Sequence, residues 1–282
     1  MALAAAALLL SGTGWAGVMD KAASAVIGPP AISVDREEVV PGSWVVVRVT
    51  GVKGPGILRA LGRDIRMFAA DSGLRALVPV PLGLTSGKQV IAVRVGGLTL
   101  KTAFRIAGAP AKPPQMLRDL TLSAKGAAAL KSGNAVLGRA FRKTGREALW
   151  SFPVHTPLTG RLSSGFGVMR SYGGTAGWPH RGHDLAAPKG TPVAAATGGV
   201  VVFSGWLEMY GNAVVIDHGQ TVHTAYFHMD SRRVATGDRV EAGRVIGTVG
   251  ETGFAKGPHL HFGTYMGPVA VDPGEMFTRG LP

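Results

Sequence analysis

Between Ile32 and Ile106 the chain alternates apolar and polar residues in short runs closed by Pro and Gly, a period of two that suits strands and not helices. The runs are Ser43-Trp-Val-Val-Val-Arg-Val-Thr50, Leu74-Arg-Ala-Leu-Val-Pro-Val80, Gln89-Val-Ile-Ala-Val-Arg-Val95 and Leu98-Thr-Leu-Lys-Thr-Ala-Phe-Arg-Ile106. A strand of this pattern buries one face, so several of them need two sheets packed together. An Ig-like β-sandwich over residues 26–108 is the economical expectation. The 42 Gly and 18 Pro, with 46% hydrophobic against 17% charged residues, extend a turn-rich, mainly β expectation to the whole chain.

At 282 residues there is room for a second compact unit. Ala109 to Pro114 is Pro-rich and reads as the start of a linker that runs over 109–150. Within it, Ala127-Ala-Ala-Leu-Lys-Ser-Gly133 and Ala135-Val-Leu-Gly-Arg-Ala-Phe-Arg-Lys143 predict helix interrupted at Gly133-Asn134. This basic segment lies directly before Ser151, a position from which it is expected to cover a groove in a latent form. From Ser151 to the end the sequence is Gly-rich β again, with Val200-Val-Val-Phe203, Ala213-Val-Val-Ile216 and Thr221-Val-His-Thr-Ala-Tyr-Phe-His228 as strands.

The first 25 residues are set apart from both units. Met1-Ala-Leu-Ala-Ala-Ala-Ala-Leu-Leu-Leu10 is too short to span a bilayer and is followed by small residues, as in a secretory signal peptide without the usual basic start. Cleavage is expected after Ala16 or Ala25, and the protein is expected to be exported to the periplasm or cell envelope.

Cysteine is absent, which excludes disulfides, thiolate ligands and cysteine nucleophiles, so any metal must sit on His and carboxylate. A net charge of +13 favours polyanionic surroundings. No dense Lys/Arg run with interleaved aromatics is present, and nucleic acid is not an expected partner.

All eight histidines lie from His155 onward, which invites a search for ligand spacing. In Pro179-His-Arg-Gly-His-Asp184 the Pro and Gly oppose a helix. On an extended chain His180 and Asp184 share a face from which His183 points away. In Pro258-His-Leu-His-Phe262, His259 and His261 share a strand face, with Leu260 and Phe262 directed to the opposite core. Two imidazoles so close repel when protonated and suit a shared cation or a hydrogen-bond partner. Spacing does not separate His259 from His261. His228, in Tyr226-Phe-His-Met229, is expected to end a strand, and spacing gives it no role.

These elements, in order with Ala186-Ala-Pro-Lys-Gly-Thr-Pro-Val193, Tyr210-Gly-Asn212, Asp217-His-Gly219, Gly237-Asp-x-Val240, Gly243-x-x-Ile-Gly247 and Gly250-x-Thr-Gly253, resemble the M23 family of zinc peptidases, of the lysostaphin and LytM type. The likeness covers residues 151–282 and implies an antiparallel β-sheet, barrel-sandwich catalytic domain. It implies Zn2+ on His180, Asp184 and His261, with His228 and His259 as the catalytic histidines. The implied reaction is hydrolysis of peptide bonds in peptidoglycan stem peptides or cross-links, a D,D-endopeptidase foremost; the alternative is a catalytically silent regulator of other cell-wall hydrolases. One departure stands at Phe166-Gly-Val-Met-Arg170, where relatives carry Arg right after Phe-Gly-x, so no substrate-contacting arginine carries over there. Thr191 to Val249 also looks like a biotinyl carrier domain, but the stretch from Asp217 to His228 has no lysine to modify. The N-terminal sandwich carries no chemistry; holding the catalytic cleft closed, docking to an envelope regulatory partner and spacing the enzyme from the membrane are all open to it.

Overall fold

The computed structural model describes residues 26–108, 115–117, 123–172 and 175–281. The leader-like stretch and the Pro-rich Ala109 to Pro114 lie outside them. The chain divides into two compact units, residues 1–109 and 110–282.

The first unit is built from two sheets. One runs, in spatial order, Val26–Val34, Trp44–Val52, Gly73–Pro79, Phe68–Ala70; the other runs Glu38–Val39, Leu98–Ile106, Gly87–Val95, Gly56–Ala60, Arg63–Arg66. Their inward residues, including Val47, Leu58, Ile91, Leu100 and Ile106, form a single core with at most 1% exposure each. Each such side chain contributes about 1.5–3 kcal/mol by leaving water. The pattern of two in the sequence is the cause, since it delivers one apolar face per strand.

The second unit is organised on a ten-stranded sheet. Its main path is Arg161–Ser164, His183–Ala186, His259–Met266, Val222–Arg232, Gly211–Asp217, Gly199–Leu207 and Arg239–Val240. The His259–Met266 strand is therefore internal, between the strand that carries Asp184 and the strand that carries His228. Leu260 and Phe262 are fully buried on one face.

The helical segment departs from its expected break. Helix α1 (Ala124–Ala140) runs unbroken through Gly133 and Asn134, capped by Ser123, whose Oγ accepts from Gly126 N at 3.1 Å. The reason is tertiary: a Cβ at Gly133 would stand 3.0 Å from the Tyr210 ring, so the missing side chain lets the helix lie close on the sheet. That packing offsets the cost of about 1 kcal/mol that glycine brings to a helix interior. Leu137, Ala140 and Phe141 bury against Leu207, Val215, Phe227 and Tyr265, with Phe141 stacked on Tyr265 at 4.0 Å. α1 is thus part of the second unit and covers one face of its sheet. Among the described residues no helix is long and apolar enough to cross a membrane.

Candidate metal centre

In the antiparallel pairing of His183–Ala186 with His259–Met266, Asp184 lies opposite His261 and His183 opposite Phe262. Directly opposed residues project to the same side, so Asp184 and His261 share one face. His183 takes the other, where its Nε2 lies 3.1 Å from Asp272 Oδ1. His180 comes from a different place, just past the Thr175–Pro179 strand. The turn that follows presses against His261: a Cβ at Gly182 would stand 2.7 Å from His261 Nε2 and 2.5 Å from the Phe262 carbonyl. A side chain there would displace the histidine.

The result is a triangle of donor atoms. His180 Nε2 is 3.0 Å from Asp184 Oδ1, His261 Nδ1 is 2.9 Å from the same oxygen, and the two nitrogens are 3.0 Å apart. All three residues are buried, and among the described residues this group could hold a metal ion. Zinc–ligand lengths of about 2.0–2.1 Å set tetrahedral edges near 3.4 Å, so a slight opening of the triangle accommodates the ion. The protons support that fit. His180 Nδ1 donates to the Gly165 carbonyl at 3.0 Å, which leaves Nε2 as the lone-pair nitrogen. That lone pair faces the Asp184 Oδ1 carboxylate oxygen at 3.0 Å with no proton between them, a repulsion that a cation at the centre removes.

Charge in the cluster follows from burial and contact. Burial pushes the Asp184 carboxyl up, but the close contacts with His180 and His261 outweigh it and hold it well below the usual carboxylate range. Burial lowers His261 to about 4 against the upward pull of Asp184. The second carboxylate oxygen is held by Arg170, whose Nη2 bonds Asp184 Oδ2 and, at 3.2 Å, Ser164 Oγ. The strand Met169–Tyr172 carries an irregularity in its register between Met169 and Ser171. That shift falls where the sequence departs from the family pattern, and Arg170 reaches Asp184 across it. This contact leaves no trace in residue order, because it depends on one extra residue being absorbed in a ladder.

His228 reaches the same space by a backbone distortion. In the Val222–Arg232 strand Phe227 opposes His261 and shares its face, so regular alternation would send His228 to the other side with Tyr226. The register against Gly211–Asp217 shifts here, Val214 opposing Tyr226 and Asn212 opposing Met229, which leaves one extra residue on the histidine strand. His228 has φ of 62°. Such a bulge re-aims a side chain, and a bulky residue in this conformation is held by its surroundings at some cost. Its ring ends 4.9 Å from that of His259 and 6.2 Å from that of His261. The expected strand end at His228 is therefore a bulge inside a strand that continues to Arg232.

His228 Nδ1 donates to the Thr252 carbonyl at 2.8 Å and His259 Nδ1 to the Gly257 carbonyl at 2.8 Å. Each keeps an Nε2 lone pair; that of His259 lies 3.9 Å from Asp184 Oδ1. Burial, then the neighbouring histidines, lower His228 to about 3. The carbonyls of Gly165, Thr252 and Gly257 leave no mark on a sequence, since any residue supplies one.

A groove of about 490 Å³ opens beside the triangle. His180, His228 and His261 line one part, and Leu130, Asn134 and Leu137 of α1 line another. The arrangement combines three convergent donors, two further imidazoles with free lone pairs, and space for an extended ligand.

Residues 178–273 match Peptidase family M23. Over 127 residues the chain is 42% identical to the peptidoglycan DD-endopeptidase ShyC of Vibrio cholerae, covering 44% of this chain and 29% of that protein. Over 123 residues it is 45% identical to the DD-carboxypeptidase/endopeptidase Mpg of Neisseria meningitidis, covering 43% of this chain and 28% of that protein. The chain thus spans less than a third of the length of these curated relatives. A crystal structure of a peptidase M23 protein from Pseudomonas aeruginosa matches with a TM-score of 0.67 at 27% identity, covering 86% of this chain and 96% of that one. The family match takes in His180, Asp184, His228, His259 and His261 together, so over residues 178–273, where the candidate metal centre lies, the chain is similar to peptidase family M23.

Proposed function

We propose that the chain is a zinc-dependent endopeptidase that hydrolyses peptide bonds in peptidoglycan stem peptides or cross-links, with D,D-endopeptidase action foremost. The observation that carries this reading is the buried triangle of His180 Nε2, Asp184 Oδ1 and His261 Nδ1 with two unligated imidazoles, His228 and His259, beside it. The names of the relatives support the substrate class.

His180, Asp184 and His261 hold the metal in this reading. Two nitrogens and one oxygen suit zinc and leave a fourth tetrahedral position. Zinc bound there would supply Lewis-acid polarisation of the scissile carbonyl and acidify a water molecule to a pKa near 7. His228 and His259, each with Nδ1–H fixed on a carbonyl, present Nε2 to take up a proton and return it to the leaving amine. Arg170 orients Asp184 by holding its outer oxygen, so that the inner one faces the metal. Export to the cell envelope belongs to the same reading, supported by the leader-like N-terminal stretch and by the net charge of +13. A regulatory partner for the N-terminal sandwich is likewise proposed from context.

The test pairs two measurements on one preparation: zinc per chain by elemental analysis, and muropeptides released from purified peptidoglycan by mass spectrometry. Stoichiometric zinc with new D,D-cleaved stem peptides is the expected result. Zinc without hydrolysis would overturn the enzyme reading in favour of a silent regulator.

A further inference from the structure

Helix α1 lies wholly upstream of residues 178–273, yet it lines the groove that contains His180, His228 and His261. Three anchors fix it there. Near its centre Gly133 lies on the Tyr210 ring, and Tyr210 Oη donates to Asn134 Oδ1 at 2.6 Å. At its end Phe141 stacks on Tyr265. Just beyond, Asp217 accepts from Gly145 N at 2.8 Å and from Thr144 Oγ1 at 3.0 Å, while His223 Nε2 donates to the Lys143 carbonyl at 2.8 Å. The Asp217-His-Gly219 motif thus ties down the chain that leaves the helix. Gly219, with φ of 84°, is needed for it, because a Cβ there would overlap the Glu147 carbonyl at 1.7 Å.

The anchored helix turns one polar group to the groove between apolar neighbours. With Oδ1 occupied by Tyr210, the Asn134 amide nitrogen has no protein partner among the described residues. Leu130 and Leu137 stand one helical turn to either side and line the same groove. Tyr210 also connects this spot to the catalytic bulge, since its carbonyl accepts from His228 N at 2.8 Å. We infer that α1 is the second wall of the substrate groove and that Asn134, oriented by Tyr210, is a substrate-positioning residue. Its amide donates to a main-chain carbonyl of the bound peptide, while Leu130 and Leu137 cover an aliphatic side chain. The inference rests on the peptidase reading for the identity of the peptide.

The experiment uses the full zinc-loaded chain and one soluble cross-linked muropeptide dimer, read twice: KM and kcat for its cleavage, and Kd by calorimetry. Asn134→Ala favours the helix and should fold. Loss of one hydrogen bond of about 1 kcal/mol corresponds to a rise of about fivefold in KM and Kd, with kcat nearly unchanged. Tyr210→Phe keeps the ring on Gly133 and loses only the hydroxyl; it should raise KM by a smaller factor, and the double variant should resemble Asn134→Ala alone. Asn134→Asp decides between positioning and mere structure. It can still accept from Tyr210 but has no donor for the peptide, so its KM should rise as well. Wild-type KM and Kd in Asn134→Ala, or in Asn134→Asp, would overturn the inference, as would a fall in KM, which would make the helix an obstruction. If the wild-type chain cleaves nothing, the function reading fails, while the Kd comparison still decides the role of Asn134.

Discussion

Two clusters of buried histidine and aspartate lie in the second unit, and they differ in one respect. In the first, around Asp217, both ring nitrogens of each histidine are engaged: His218 with the Gly198 carbonyl and Thr224 Oγ1, His223 with the carbonyls of Thr221 and Lys143. In the second, His180, His228 and His259 each spend Nδ1 on one carbonyl and leave Nε2 turned to common space. Each cluster has a histidine close to a buried aspartate, His223 at 3.5 Å from Asp217 and His261 at 2.9 Å from Asp184. What separates a structural histidine from a ligand or a proton carrier is the count of unspent ring nitrogens and whether they converge.

If that distinction is right, the largest effects belong to the converging cluster. Asp184→Ala and His261→Ala should lose zinc and at least about a thousandfold in turnover together, because both the Lewis acid and its water go with the ligand. His228→Ala and His259→Ala should keep one zinc per chain and lose about a hundred- to ten-thousandfold in kcat. Elemental analysis alongside muropeptide release separates the two classes. Metal retained in both His259→Ala and His261→Ala would show the ligand assignment to be wrong.

The Asp217 cluster should respond in stability and not in metal. Asp217→Ala strips partners from Gly145 N, Gly219 N and Thr144 Oγ1 in a buried setting. A loss of about 2–4 kcal/mol is expected, seen as a Tm lowered by roughly 5–10 °C, with zinc per folded chain unchanged. A variant that unfolds no more easily but binds less zinc would merge the two clusters into one functional unit.

The sequence made part of this legible. Apolar alternation located the strands of the first unit, since one buried face per strand leaves a direct trace in residue order, while in the second unit short apolar runs such as Ala213-Val-Val-Ile216 marked strands buried on both faces. Strand parity placed His183 apart from Asp184, and the structure sends it to Asp272. Parity failed for His228 because a bulge adds one residue to one strand, a local event with no signature in an otherwise ordinary Val-His-Thr-Ala-Tyr-Phe-His run. The helix runs through the expected break at Gly133 for a related reason: local propensity counts the cost of glycine, whereas the compensating ring of Tyr210 lies far along the chain. The sequence does set this segment at a groove, as a cover in a latent form; which of its residues line the groove depends on the same distant contacts.

The smallest expected effect concerns pH and isolates the structural cluster. His218 is fully buried, and burial lowers it to about 3, opposed in part by the Gly198 carbonyl. In the unfolded chain a histidine titrates near 6.5. Between those values the unfolded state binds a proton that the folded state refuses, so the contribution is constant above about pH 6.5 and stability is lost as pH falls below it. One such group costs about 1.4 kcal/mol per pH unit, or about 2–3 kcal/mol between pH 6.5 and 4.5. Carboxylates titrate in the same window, so the informative quantity is a difference. In His218→Gln, whose amide can still donate and accept, urea unfolding free energies should fall less steeply with acid than in the wild type, by about one proton. Above pH 7 the two curves should run parallel. Parallel curves down to pH 4.5 would mean that His218 accepts a proton in the folded state, and that full engagement of both ring nitrogens does not keep a buried histidine neutral.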